Sequence, residues 1–286
     1  MFTRKNGAAI NGGRIADFLA AFNYGLRNQQ LIEDPVSGRI DALFYNCRLT
    51  SVFQPIVHSV SGRPVGHRGF LRAAGADGVS LSPWGMFSFA VADHELVDLD
   101  RLCRTLHVLN YYRTVSARHT LYLNVQLRLL VAVGRDFGRA FGNRLDRLGL
   151  APGQVAIVLP PDLIAHPALF AAAVTDYQEQ GYRVVANYPA NPLRWPRAYG
   201  VQADVIHVDS AELVDADAWS HTRQAIHALG ALASAGRVAA RQQATLARES
   251  GFDLVQGYEL GRPDAEVFPN GRSGADPVAL ETLSLW

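Results

Sequence analysis

Short apolar runs rich in β-branched and aromatic residues alternate along this chain with longer stretches of helical period. The runs predicted as strands are Phe53–Val57, Val65–Leu71, Leu121–Val125, Val155–Leu159, Arg183–Asn187, Val205–Asp209, Leu232–Ala235 and Leu254–Gln256. Helix-compatible segments at 94–113, 165–180, 212–229 and 239–250 lie between them. Eight strands mostly separated by helices predict an α/β fold of the (β/α)8 type. One connection breaks the rule. Only residues 59–64 separate the first two runs, too short for a parallel crossover, so the expectation is a modified TIM barrel with an antiparallel first strand.

Ahead of the barrel, Ile15, Phe18, Leu19, Phe22 and Leu26 recur at helical spacing after a Gly- and Asn-rich tail, predicting an amphipathic helix over 15–31. Its apolar stripe fits packing on the main domain, with dimerisation or a partner groove as the other uses. Asp34-Pro35-Val36-Ser37-Gly38 reads as a turn, and 40–49 as a second short helix. The chain thus divides into a tail with a helical extension at 1–49, a barrel at 50–264, and a C-terminal tail at 265–286 expected to pack on or near the barrel.

Composition narrows the function. With 286 residues and 49% hydrophobic content, the chain can bury one full-sized core. A net charge of +1 supplies no broad field for nucleic acid or an anionic membrane surface. Any polyanion recognition must be local. Lys5 is the only lysine, so barrel chemistry here cannot use one. Cys47 and Cys103 make neither a disulfide framework nor a metal-ligand spacing, which fits a reducing compartment. The opening residues lack a signal-peptide apolar segment, and no apolar run is long enough to span a bilayer. A soluble, cytoplasmic protein without a membrane anchor is expected.

Phe53-Gln54-Pro55-Ile56-Val57, a Ser61-Gly62 turn and Val65-Gly66-His67-Arg68-Gly69-Phe70-Leu71-Arg72 resemble the opening of EAL domains, the cyclic di-GMP phosphodiesterase family. Leu81-Ser82-Pro83, Leu123-Asn124-Val125, Gly181-Tyr182-Arg183-Val184, Val208-Asp209, Val255-Gln256-Gly257-Tyr258 and Gly261-Arg262-Pro263 extend the likeness in order over about 50–264. That family's barrel also begins with an antiparallel strand. The resemblance implies a place in bacterial cyclic di-GMP signalling.

The departures fall on the chemistry. The resemblance puts Arg68 where the family has the Glu of its Glu-Ala-Leu motif, and matches the family's metal-binding Asn with Asn124. The fourth-strand Glu falls on Val158 and a nearby acidic position on Pro161. The Asp-Asp-Phe-Gly stretch falls on Asn187-Tyr188-Pro189-Ala190, the catalytic Lys on His207, and an acidic position after strand seven on Gly236. Divalent ions in such a site need anionic oxygen ligands. A guanidinium at a ligand position repels them by about 4 kcal/mol per charge pair at 4 Å and an effective dielectric of 20. No bound metal and no cofactor are therefore expected, and hydrolysis by the family mechanism is not.

Three readings follow from the resemblance. The first is a catalytically inactive regulator that acts by binding a partner protein, with or without sensing cyclic di-GMP. The second is a metal-independent cyclic di-GMP receptor, since guanidinium forks bind phosphate without metal. Gln54, Leu71, Arg72, Gln256 and Pro263 match positions around the family's nucleotide, and Arg68 is a further candidate. Bulky Tyr188 and the prolines after it stand where the family has a Gly-containing loop, and would block the cleft. The third reading is a weakly active phosphodiesterase. His207 and Asp209 share one strand face and can pair as a base site, against the plainer reading of a polar remnant. Leu193, Arg194, Trp195 and Arg197 lie in a Pro-rich stretch whose residue types anchor interfaces, marking a partner or homodimer surface.

Overall fold

In the computed structural model, which describes residues 9–23, 29–115, 118–191 and 201–267, a tight hairpin fixes the direction of the first barrel strand. The strands are β1 (Gln29–Glu33), β2 (Ile40–Phe44), β3 (Cys47–His58), β4 (Pro64–Ala74), β5 (Ser80–Leu81), β6 (Thr120–Asn124), β7 (Val155–Val158), β8 (Arg183–Asn187), β9 (Val205–Asp209), β10 (Leu232–Gly236) and β11 (Leu254–Gln256). The helices are α1 (Gly12–Asn23), α2 (Pro83–Phe89), α3 (Asp93–Thr114), α4 (Leu127–Val133), α5 (Arg139–Leu148), α6 (Pro167–Glu179), α7 (Ala216–Ala228) and α8 (Arg241–Glu249). Gly62 takes φ 65° in the turn that returns β3 onto β4, a left-handed conformation that glycine adopts without a Cβ clash. β3 and β4 then pair antiparallel from Arg48 opposite Ala74 to Val57 opposite Pro64.

From β4 the sheet continues in parallel through β6, β7, β8, β9, β10 and β11. β11 closes it antiparallel on β3, with Val255 opposite Val57. The result is a closed, eight-stranded mixed barrel. Parallel strands covered on both faces read as unbroken apolar runs, which is why Val155–Val158 is buried throughout. Ile56, Tyr122, Ala156, Val158, Val185, Val205 and Leu254 fill the barrel interior, while the larger core lies between the sheet and its helices.

The segment before the barrel corrects two expectations. Residues 40–49 form no helix: β2 and the start of β3 occupy them, joined by a turn with Tyr45 at φ 50°. Ile40, Ala42 and Phe44 are buried and Asp41 and Leu43 half-buried, the period of a strand. Residues 29–31, expected to end the first helix, belong to β1, and Leu26 lies outside the described residues. α1 does pack inward through Ile15, Phe18 and Leu19. Arg147 and Arg144 of α5 lie over its Phe18 and Phe22 rings at 5.7 and 5.5 Å.

Two asparagines fasten this extension. Asn23 of α1 both donates to the Leu31 carbonyl and accepts from its N–H, each at 2.8 Å, as a neighbouring strand would. Asn110 of α3 makes the same two-point bond to Ile40, at 2.7 and 2.9 Å. Beyond the barrel, Asp264 exchanges two backbone bonds with Phe53 of β3. Of the C-terminal tail, 268–286 lie outside the described residues. Among the described residues, no helix is long and apolar enough to cross a membrane.

Candidate functional site

In a parallel barrel, side chains that point inward at the C-terminal strand ends meet at one mouth. The registers place Gln54 opposite Arg68, Asn124 beside Val158, Asn187 beside His207, and Asp209 beside Gly236, with Gln256 next to β3. The predicted positions thus share one end of the barrel. Their contacts decide what they can do.

Arg68 reaches across from β4, and its Nε and Nη2 both donate to Asn124 Oδ1, at 3.0 and 2.5 Å. The arginine is 6% exposed, and burial pulls its pKa down to about 10, so it stays charged at neutral pH. A buried cation therefore consumes the one amide oxygen that could face a metal.

His207 sits opposite. Its Nδ1 lies 2.9 Å from Ser234 Oγ on the next strand, and its ring covers Gly236 so closely that a Cβ there would meet Nε2 and Cε1 well inside van der Waals contact. Burial first, and the Arg68 cation second, pull the His207 pKa down to about 3. At neutral pH the ring is an uncharged imidazole of very weak basicity. It makes no bond to Asp209, contrary to the expected pair. Asp209 Oδ2 instead meets Arg237 Nη1 at 2.9 Å, while Oδ1 accepts the Ala211 N–H. The two side chains share a strand face, yet adjacent elements offer each a closer partner.

The remaining positions are braced. Asn187 Nδ2 donates to the Leu159 carbonyl, and Val158 is 3% exposed among the interior side chains. Gln256 Nε2 donates to Gln54 Oε1 at 2.8 Å, and Gln54 Nε2 to the Gly261 carbonyl at 2.9 Å. Leu71 faces the helical side of the sheet, in the outer core. Pro263 is half-buried beside the Asp264–Phe53 bridge. Tyr188 does not block the cleft as expected: it is buried against Phe170 of α6, ring centroids 6.1 Å apart, and burial raises its pKa to about 12. Leu193, Arg194, Trp195 and Arg197 lie outside the described residues.

Arg72 is half-buried at the rim, where its Nη1 donates to the Leu71 carbonyl at 3.1 Å. Burial lowers its pKa, and nearby Tyr258 opposes that shift. Arg262 lies 5.7 Å from the centre of the Tyr258 ring, so two guanidiniums flank an exposed phenol. Sequence reasoning missed Ser234, Arg237 and the Tyr258–Arg262 pair as part of this mouth. Ser234 had a readable signal, since it stands two residues before Gly236 and so points the same way.

The divalent ions implied by the resemblance do not fit this donor set. Val158 and Gly236 bring no side-chain oxygen, Asn124 Oδ1 is taken by Arg68, and Asp209 is held by Arg237. Among the described residues, no three of His, Cys, Asp and Glu converge as metal ligands would. An arginine-filled mouth attracts anions instead.

Comparison with known proteins bears on the same region. The family model described as the EAL domain matches residues 38–263. Among solved structures, EAL enzyme Bd1971 in its cAMP- and cyclic-di-GMP-bound form aligns with a TM-score of 0.60 at 13% identity, over 88% of this chain and 66% of that one. The Bacillus subtilis YkuI protein, with an EAL domain, in complex with substrate c-di-GMP and calcium, aligns with a TM-score of 0.63 at 16% identity, over 77% of this chain and 56% of that one. The FimX EAL domain from Pseudomonas aeruginosa bound to c-di-GMP gives 0.62 at 14% identity, over 78% and 93%. The chain therefore spans less than two thirds of YkuI and 66% of Bd1971. No curated protein sequence matches it.

Proposed function

The chain belongs to the EAL domain family, and from that premise we propose that it is a non-hydrolysing member, a cytoplasmic regulator in cyclic di-GMP signalling that acts by binding a partner protein. The observation that carries this reading is the Arg68–Asn124 bond, which puts a protein cation in the place of a metal ion. His207 adds to it. A general base works best with a pKa near the operating pH, and this imidazole lies several units below. A barrel kept with its chemistry replaced is a scaffold for recognition, with 193–197 as the partner or homodimer surface.

Product analysis tests the inactive state: purified protein with cyclic di-GMP and Mg²⁺ or Mn²⁺ yields no linear product. Turnover abolished by Asn124→Ala would instead establish the weakly active phosphodiesterase. Affinity capture followed by mass spectrometry tests the partner, with stoichiometric recovery expected and lost in Arg194→Ala/Trp195→Ala. Undiminished recovery by that double variant removes this surface.

The rim arginines favour a second reading, metal-free binding of cyclic di-GMP through Arg72, with Gln54 and Gln256 bracing the site. Two of the similar structures hold cyclic di-GMP according to their descriptions, one of them the FimX EAL domain. Arg68 contributes little here, because both of its described bonds go to Asn124. Calorimetric titration in EDTA separates the readings: heat of binding that Arg72→Ala removes supports the receptor, and none leaves the regulator without a nucleotide.

A further inference from the structure

A small cavity of about 20 Å³ lies on the outer side of the barrel between α3, α4 and α5, lined by Asp100, Arg101 and Arg104 with Leu129, Val133 and Phe141. Its volume exceeds the roughly 10–15 Å³ that one water needs. Arg104, 3% exposed, donates through Nη2 to Asp100 Oδ2 at 2.6 Å and lies over the Phe141 ring. Its Nε is buried without an acceptor, and so is Nη1 of Arg144 on α5. Burial and the neighbouring Arg101 and Arg104 cations pull Arg144 down to about 10, while Asp98 and Asp100 oppose them. Asp136, also on the cavity wall, is engaged by Arg139 at 3.0 Å.

Three guanidiniums, Arg101, Arg104 and Arg144, thus face two free carboxylates, Asp98 and Asp100, leaving one positive charge over and two N–H donors unmet. Buried donors without partners and unbalanced buried charge are both costly. A water molecule answers the donors and leaves the charge; a monovalent anion answers both. We propose that this cavity binds one small monovalent anion of halide size, chloride in ordinary buffers, as a structural ligand that ties α3 to α5. The site is separate from the barrel mouth and independent of the function proposed above.

The test exchanges chloride for gluconate at constant ionic strength and follows thermal unfolding of the full chain. Chloride raises Tm saturably, by about 2–4 °C for a site filled to some tenfold over its dissociation constant. Arg101→Gln, a change on the half-buried wall that leaves the Asp100–Arg104 pair in place, removes that rise. Crystals grown in bromide then show an anomalous peak within hydrogen-bond reach of Arg104 Nε. Equal Tm in the two salts, a chloride effect unchanged in Arg101→Gln, or no anomalous peak in the cavity each overturns the proposal.

Discussion

Replacing Gly236 with alanine probes the packing that replaced the chemistry. An added Cβ would stand 2.5 Å from His207 Cε1 and 3.1 Å from Cδ2, and closer still to Nε2. The ring has little freedom to retreat, because its Nδ1 is bonded to Ser234 Oγ and burial surrounds it. Overpacking of this kind costs about 1–3 kcal/mol, and losing the serine bond as the ring swings away adds about 1. We therefore expect Gly236→Ala to destabilise the fold by about 2–4 kcal/mol. In a His207→Ala background the same change meets open space and costs under about 1 kcal/mol. Urea unfolding of the four proteins at neutral pH yields the coupling as a double-mutant cycle, expected at about 1.5 kcal/mol or more. A coupling below about 0.5 kcal/mol would refute the reasoning, since residues that do not touch add within that margin. The geometry also explains why an acidic residue cannot return at 236 while His207 remains.

Three further outcomes follow from the same contacts. Arg68→Met alone leaves Asn124 Oδ1 without a donor and destabilises by about 1–3 kcal/mol, whereas Arg68→Met/Asn124→Leu recovers most of that loss, checked by chemical unfolding. His207, His67 and His107 have folded-state pKa values near 3, 4 and 4, below the usual 6.5, chiefly because of burial. The unfolded chain therefore binds more protons between those values and 6.5, so their contribution to stability is complete above pH 6.5 and is lost as pH falls through that window. His207→Asn flattens the fall near pH 5 by about 1 kcal/mol per pH unit, measured as unfolding free energy against pH. Asn23→Ala uncovers the outer edge of β1 at Leu31 and costs about 1–2 kcal/mol, and hydrogen exchange at the Leu31 amide accelerates accordingly.

The barrel was legible because its signals are periodic and redundant. Residues 59–64 alone forced the antiparallel start, and buried runs such as Val155–Val158 marked the parallel strands. The segment 40–49 misled because Asp-Ala-Leu-Phe has fair helix propensity. Its alternating Ile40, Ala42 and Phe44 decide the matter only once α3 and its Asn110 are in place beneath them. The first helix was read too long past Asn23, although Gly25 is an ordinary stop signal in the sequence. At the mouth, the resemblance supplied the positions and the structure supplied the partners. That Arg68 lies on Asn124, that Asp209 turns to Arg237, and that Tyr188 points to Phe170 are tertiary facts that spacing along one strand does not contain.

Manganese binding tests the central claim most directly. Titration of the purified chain with Mn²⁺, followed by paramagnetic resonance of the free ion, is predicted to show no stoichiometric uptake at millimolar concentration, because Arg68 holds the one open oxygen and the strand ends beside it bring no carboxylate. Uptake of two ions per chain that disappears in Asn124→Ala would contradict the account.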